Sequence, residues 1–193
     1  NTFFEVILAK KFDKDALRIL RSKKQLILID ISKFKEKKNY QIKYFDNSFL
    51  IQDKNKENFN LKNFKCPTNL KPTKQELKFA EFSMNICKFV KSNSIVITNK
   101  FSTIGIGAGQ SSRVDSCRIA VEKAKRFQPK KLKNSIAASD AFFPFPDGIK
   151  QLIRAGVKLI VQPGGSIRDK ESIDLANKAK VKMIFTGIRH FNH

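Results

Sequence analysis

Residues 136–185 read IAASDAFFPFPDGIKQLIRAGVKLIVQPGGSIRDKESIDLANKAKVKMIF, and the fold class turns on this stretch. Ile136–Ser139, Val157–Val161 and Val181–Phe185 are short apolar runs of strand length. Between them lie two segments with apolar residues at helical spacing. One is Asp147–Ala155; the other is led by Ser166 or Asp169 and ends near Ala179. Strand alternating with helix predicts an α/β fold with a largely parallel sheet.

The same rhythm extends upstream. Thr73 caps a helix with Glu76 as its capping-box partner, and Leu77, Ala80, Met84 and Cys87 recur at spacings of three and four on one buried face. Ser94–Thr98 and Thr103–Ile106 read as strands, and Ser111 or Ser112 caps a helix that runs to about Phe127. The first third is plainer. Asp13 caps a short helix with Ala16, Leu17 and Leu20 on one face, Gln25–Ile31 is a strand-length run, and Ile42–Phe45 and Phe49–Gln52 are two short strands in a Lys- and Asn-rich connection. Two regions follow: 1–71, a partial N-terminal segment and connection, and 72–193, a C-terminal α/β subdomain.

Composition bounds the function. The chain has 193 residues, 41% of them hydrophobic, enough to bury a core. No apolar run approaches the ~18 residues of a membrane span, and no signal peptide is visible. The chain opens on Asn1 rather than Met, which reads as a fragment. Cys66, Cys87 and Cys117 are an odd number without a CxxC pair, so the pattern favours reduced thiols in a cytosolic protein over a disulfide framework or zinc site. The net charge of +22 invites a nucleic-acid reading. It is spread evenly, however: residues 1–100 carry +12 and residues 101–193 carry +10. Its carrier is Lys, 31 against 8 Arg, whereas base reading favours bidentate Arg. Neither a nucleic acid nor a membrane is expected as partner.

Six of the eight arginines lie after residue 100, and three of them fall in four punctuated junctions. These are Gly105–Asp115, Ser139–Gly148, Gln162–Asp169 and Arg189–His193. Each follows a strand, and ligands of parallel sheets sit beyond the carboxyl ends of strands, so the four are expected at one edge. Arg113 stands in the first turn of its helix, where the dipole disfavours a cation; it either meets a bound anion or pairs with Asp115 or another acid. Gln-Pro-Gly-Gly-Ser offers backbone N–H groups to an oxygen-rich ligand, or is a plain strand-to-helix turn. Phe142-Phe-Pro-Phe145 wedges between sheet and helix, or walls a slot for a flat heterocycle with Asp140 or Asp147 at its ring nitrogens. Asn93 offers an amide to a carboxamide, or caps a helix. The GxGxG at 105–109 lacks the full dinucleotide spacing. Charged and aromatic residues crowd the closing Arg189-His-Phe-Asn-His193, which argues for a docked tail.

Taken in order, Lys91-Ser-Asn-Ser94, GIGAGQSSRVDS at 105–116, ASDAFFPFPDG at 138–148, QPGGSIRD at 162–169 and TGIRHFNH at 186–193 resemble the C-terminal part of the transformylase region of the AICAR transformylase/IMP cyclohydrolase family. The match is nearly continuous from about residue 72 and weaker before it. The resemblance implies a cytidine-deaminase-like subdomain of the AICAR transformylase fold and a cytosolic purine-biosynthesis enzyme. It implies formyl transfer from 10-formyltetrahydrofolate, the cosubstrate, to the 5-amino group of AICAR, with no metal, in a homodimer. IMP cyclohydrolase activity belongs to a separate N-terminal domain of the family. The resemblance also implies roles for residues. Asn93, Arg113, Phe142 and Arg189 bind AICAR, with Asn93 aligning the formyl group and Arg189 on the phosphate. Val114, Asp147, Ser166 and Ile167 form the folate site, and His193 lies close to the reaction.

The family's Lys-His pair, carried in a Lys-His-x-x-Pro segment, has no counterpart among these 193 residues. Near Phe49 the family's glycines are replaced by Asn47-Ser48. The expectation is therefore the binding half of a site, nearly inactive alone, completed by an upstream part of the same enzyme. Two other readings stand beside it: a non-catalytic remnant or dimerising scaffold, and a basic nucleic-acid binder.

Overall fold

The computed structural model describes residues 3–35, 39–60 and 63–192. They fall into two compact units, residues 1–54 and 55–193.

In the first unit, β1 (Val6–Ala9) pairs in parallel with β2 (Ile27–Asp30) through helix α1 (Lys14–Leu20). Asp13 caps α1 as the sequence predicts, its carboxylate accepting from Ala16 N at 2.7 Å. Strands β3 (Tyr40–Phe45) and β4 (Ser48–Asp53) form an antiparallel hairpin whose turn places Asp46 at φ 44°. None of the described residues of this unit is buried.

The second unit carries the core. Its elements are α2 (Lys74–Cys87), β5 (Ile95–Asn99), β6 (Ser102–Gly107), α3 (Arg113–Phe127), the single turn α4 (Pro129–Leu132), β7 (Ser135–Ser139), α5 (Asp147–Ala155), β8 (Val157–Gln162), α6 (Asp169–Lys178) and β9 (Lys182–Phe185). The sheet order is β6-β5-β7-β8-β9. Alternation along the strands divides the core into two layers. Ile95, Ile97, Ala137, Ile160 and Met183 face one layer together with Cys117, Ala120 and Ala124 of α3 and Ile149 and Leu152 of α5. Val96, Ile136, Ala138, Leu159, Val161 and Ile184 face the other, with Ala80, Met84 and Cys87 of α2. A sheet covered on both faces needs strands that are apolar throughout, which is why Val157–Val161 shows no alternation in sequence. Residues 55–71 run with this unit: Phe59 is buried, Lys65 bridges Phe185, and Thr68 Oγ1 accepts from Met183 N at 3.0 Å.

The largely parallel sheet is present, with one departure. Strands β7, β8 and β9 are parallel, while β5 runs antiparallel to both its neighbours. Only Lys100 and Phe101 separate β5 from β6, with Lys100 at φ 53°. Two residues close a hairpin and cannot make the crossover that parallel pairing needs. The outcome for the junctions is unchanged: the carboxyl ends of β6 to β9 and the start of β5 share one edge.

Two local readings gain detail. Of the two serines, Ser112 occupies the N-cap of α3, without a side-chain cap bond. Of Ser166 and Asp169, it is Asp169 that leads α6, with Arg168 at the N-cap. The glycines of GxGxG have a packing role. A Cβ on Gly105 would stand 2.1 Å from Ala120 O and one on Gly107 2.0 Å from Ser116 O. They let α3 lie directly on β6, so this motif is a helix–strand contact rather than a phosphate loop. Gly107→Ala is expected to cost about 1–3 kcal/mol through overpacking, read from the denaturant midpoint; an unchanged midpoint would contradict this account.

Candidate functional site

The edge is organised by a buried ion pair. Arg113 is 8% exposed and Asp140 wholly buried. Arg113 Nη1 donates to Asp140 Oδ1 and, at 2.8 Å, to Ser139 Oγ. Its Nη2 donates to Asn93 Oδ1 at 2.8 Å. The other oxygen of Asp140 accepts from Ser94 N at 3.1 Å, and its carbonyl accepts from His190 N at 2.8 Å. One guanidinium and one carboxylate thus tie the start of α3, the start of β5, the end of β7 and the C-terminal segment. Arg113 does meet an acid, but the partner is Asp140, 27 residues away; Asp115 instead pairs with Arg118 at 3.3 Å. The Asp140 carboxylate is accordingly not open to a ring nitrogen.

Asn93 does not cap α2, whose C-cap is Lys88. Its peptide bond with Ser92 is cis. Its backbone N donates to Gln110 O at 3.0 Å, and its Nδ2 donates to Gln110 O and Ser111 O at 3.0 and 3.1 Å. Its carbonyl accepts from Ser116 Oγ at 2.8 Å. Both amide hydrogens are therefore engaged, and Oδ1 keeps one lone pair. Arg113 keeps two of its five N–H groups.

These groups face a cavity of about 380 Å³, lined also by Val114, Phe142, Phe145, Asp147 and Arg189. The aromatic loop divides its labour. Phe143 is buried between sheet and helix, its N donating to Gln162 Oε1 at 3.1 Å, while Phe142 and Phe145 face the cavity. Phe143 therefore wedges between sheet and helix, and Phe142 and Phe145 form a wall of the cavity. Arg189 lies over Phe142 with its guanidinium 5.0 Å from the ring centroid. That stacking holds a cation at the wall and leaves its N–H groups for an anion. Asp147 spends Oδ1 on Gly148 N at 2.7 Å and is otherwise exposed.

The tail is docked through Asn192. Ser92 N donates to Asn192 O at 2.9 Å, Asn192 N to Ser92 Oγ at 3.0 Å, and Asn192 Nδ2 to Phe89 O at 3.1 Å. His190 is buried, with Nδ1 3.0 Å from Asn55 Oδ1. His193 lies outside the described residues.

Ser166 and Ile167 do not line this cavity. Ile167 is fully exposed, and the Gly-Gly-Ser loop is already satisfied: Gly165 N and Ser166 N donate to Asp169 Oδ2 at 2.7 and 3.2 Å. The free N–H groups read from the sequence are thus engaged by the chain's own carboxylate. Asp147 and Phe145 also line a neighbouring cavity of about 560 Å³ with Lys150 and Arg168. Ser94, Ser139 and Gln162 were not singled out by sequence. Each is buried and acts through a non-local partner, which no local pattern announces.

Thiol chemistry has no place here: burial pushes Cys87 and Cys117 up to about 12. Among the described residues no group of three or more His, Cys, Asp or Glu could hold a metal, and no helix is long and apolar enough to cross a membrane.

The family model described as AICARFT/IMPCHase bienzyme matches residues 1–123. The chain belongs to this family. It is 47% identical over 192 residues to the bifunctional purine biosynthesis protein PurH of Buchnera aphidicola subsp. Schizaphis graminum and 43% identical over 194 residues to that of Acetivibrio thermocellus. Both matches cover 99% of this chain, and 36% and 37% of the relatives. The chain therefore spans little more than a third of the length of the curated relatives it matches. Among solved structures, a diaminohydroxyphosphoribosylaminopyrimidine deaminase/5-amino-6-(5-phosphoribosylamino)uracil reductase from Thermotoga maritima aligns with 56% of this chain and 34% of its own, at 15% identity and TM-score 0.36. That likeness is too slight to bear on the site.

The buried His190 gives this edge a pH dependence. Burial first, and then the Lys88 ammonium, hold its pKa below the ordinary imidazole value; Asp140 and Glu57 oppose this. The unfolded chain therefore takes up the proton more readily than the folded one, and stability falls as pH drops below ~6.5. A thermal-midpoint series from pH 7.5 to 5.5 should show a larger loss for the wild-type chain than for His190→Gln. Parallel curves would contradict the assignment.

Proposed function

We propose that this chain forms the binding side of an AICAR transformylase site. In it a formyl group passes from 10-formyltetrahydrofolate to the 5-amino group of AICAR in purine biosynthesis. The observation that carries the reading is the convergence of Asn93, Arg113, Phe142, Asp147 and Arg189 on one cavity. A nucleotide needs an anion holder, a flat apolar wall and a directional polar contact, and these residues offer all three.

Arg189, poised over Phe142, takes the nucleotide phosphate, and the heterocycle lies against Phe142. The free lone pair of Asn93 Oδ1 accepts from the AICAR carboxamide or amine and so aligns the nucleophile with the formyl carbon. Arg113 acts chiefly by fixing Asn93, and its two remaining N–H groups point the same chemistry at the ligand. Asp147 offers a carboxylate oxygen to the pterin amino group, beside Val114. Ser166 and Ile167 belong to the folate side through their loop, whose neighbour Arg168 shares the second cavity with Asp147. His193 remains assigned next to the reaction.

Formyl transfer also requires removal of a proton from the attacking amine, and general-base catalysis is worth ~10²–10⁴-fold. No Lys-His-x-x-Pro segment occurs in these residues. The base is therefore supplied by an upstream part of the same enzyme, together with the cyclohydrolase activity, in a cytosolic homodimer. Positioning by the present residues provides the effective concentration of amine and formyl carbon.

Calorimetric titration of the 193-residue chain with AICAR should give saturable binding that Arg189→Ala weakens at least tenfold. Among the described residues Arg189 has no hydrogen-bond partner, so its loss removes the ligand contact and its stacking on Phe142 only. Equal affinity of the variant would remove Arg189 from the phosphate and undo the reading.

A further inference from the structure

His190 follows Arg189 in the docked C-terminal segment and is held there at two points. Its backbone N donates to Asp140 O at 2.8 Å, and its Nδ1 lies 3.0 Å from Asn55 Oδ1. An amide oxygen only accepts, so the neutral ring carries its proton on Nδ1 and leaves Nε2 bare. The ring is 1% exposed, and Nε2, itself buried, has no hydrogen-bond partner among the described residues. On one side of His190 stands Arg189 over Phe142; on the other is Asn192, bonded to Ser92 and Phe89. Chain ends stay loose unless they are tied down, and the His190 ring is one of the ties that keep Arg189 at the cavity wall.

A second proton on this ring must go to Nε2. It would create a buried cation whose new N–H has no acceptor. The charged groups facing the ring do not offset that cost. From the end of α2, the Lys88 ammonium repels an imidazolium while its Nζ donates to Asn58 Oδ1 at 3.0 Å. Asp140, just after β7, attracts one, but both its oxygens are engaged, by Arg113 and by Ser94 N. Glu57, two residues beyond Asn55, also attracts it, from an exposed position that water screens. On the same segment, Arg189 adds a further positive charge. Burial, the largest cause, and Lys88 therefore prevail and hold the ring below the ordinary imidazole pKa.

A segment released from this niche would titrate at ~6.5. The released form thus takes the proton first, and docking weakens by up to about tenfold per pH unit below ~6.5. We propose that His190 is a positioning residue for Arg189 and a proton-sensitive latch: neutral, it holds the C-terminal segment in the site; protonated, it frees the segment, and the edge loses its grip on anionic ligands. The ligand half of this inference rests on the assignment of Arg189 to the nucleotide phosphate; the latch itself does not.

The test compares the wild-type 193-residue chain with Asn55→Asp at pH 7.5 and 5.5. That substitution sets a carboxylate against Nδ1, favours the imidazolium in the docked segment and removes the penalty. The first readout needs no ligand: the heteronuclear Overhauser effect of the amides of residues 189–192, which reports their mobility. In the wild-type chain it should fall toward flexible values at pH 5.5 while the Ile160 amide in the central sheet keeps its native shift. In Asn55→Asp it should stay high. Lys88→Gln, which removes the opposing ammonium, should act in the same direction in smaller measure. The second readout is calorimetric affinity for AICAR, which should weaken about threefold more in the wild type than in Asn55→Asp over this range. The phosphate of AICAR titrates near pH 6 equally in every variant, so the difference between proteins belongs to the latch. Parallel behaviour of wild type and Asn55→Asp, or mobility that appears only as Ile160 loses its native shift, would overturn the proposal. A mobile segment at pH 5.5 with no AICAR binding at pH 7.5 would sustain the latch and sink the nucleotide reading instead.

Discussion

The candidate site depends on the buried pairing of Arg113 with Asp140. A guanidinium and a carboxylate removed from water are costly unless their hydrogen-bonding capacity is met. Here the carboxylate accepts from Arg113 and Ser94 N, and the guanidinium also donates to Ser139 Oγ and Asn93 Oδ1. Such a pair adds little to stability over an apolar contact of the same volume. Its value is specificity: the partners come from four elements, so the network closes only when β5, β7, α3 and the C-terminal segment are all in register. Asn93 and Arg189, the two groups best placed to touch a nucleotide, hang on that network from opposite sides.

The consequence is a preorganised polar surface. Asn93 cannot rotate its amide without breaking three hydrogen bonds, so its remaining lone pair has a fixed direction. The tail is held by Asn192 against Ser92 and Phe89, which brings Arg189 over Phe142. Positioning of this kind lowers the entropy that a bound pair of substrates must lose. Among the described residues no Lys or His lines the cavity, and the chain spans little more than a third of the length of its relatives.

What could be read in the sequence was what local chemistry announces. Thr73 with Glu76 forms the capping box, and α5 occupies Asp147–Ala155, because caps and periodicity are short-range signals. The gathering of the junctions followed from each lying after a strand. Other features have causes separated in sequence. The antiparallel β5 follows from the two-residue hairpin after it, a length that strand-helix alternation obscures. Arg113 was legible as anomalous for its helix turn, but its partner is 27 residues away. The Gly-Gly-Ser loop reads as open because Asp169, which closes it, is legible in sequence only as the start of a helix. Gly105 and Gly107 resembled a ligand motif, whereas their necessity comes from the backbone of α3.

The central claim is that this edge receives a purine-precursor nucleotide. A crystal structure of the 193-residue chain soaked with AICAR tests it most directly. The account predicts the ring against Phe142, the phosphate within hydrogen-bond distance of Arg189 and the carboxamide at Asn93 Oδ1, with the Arg113–Asp140 pair intact. Nucleotide bound elsewhere, or bound here only after Arg113 has left Asp140, would contradict it.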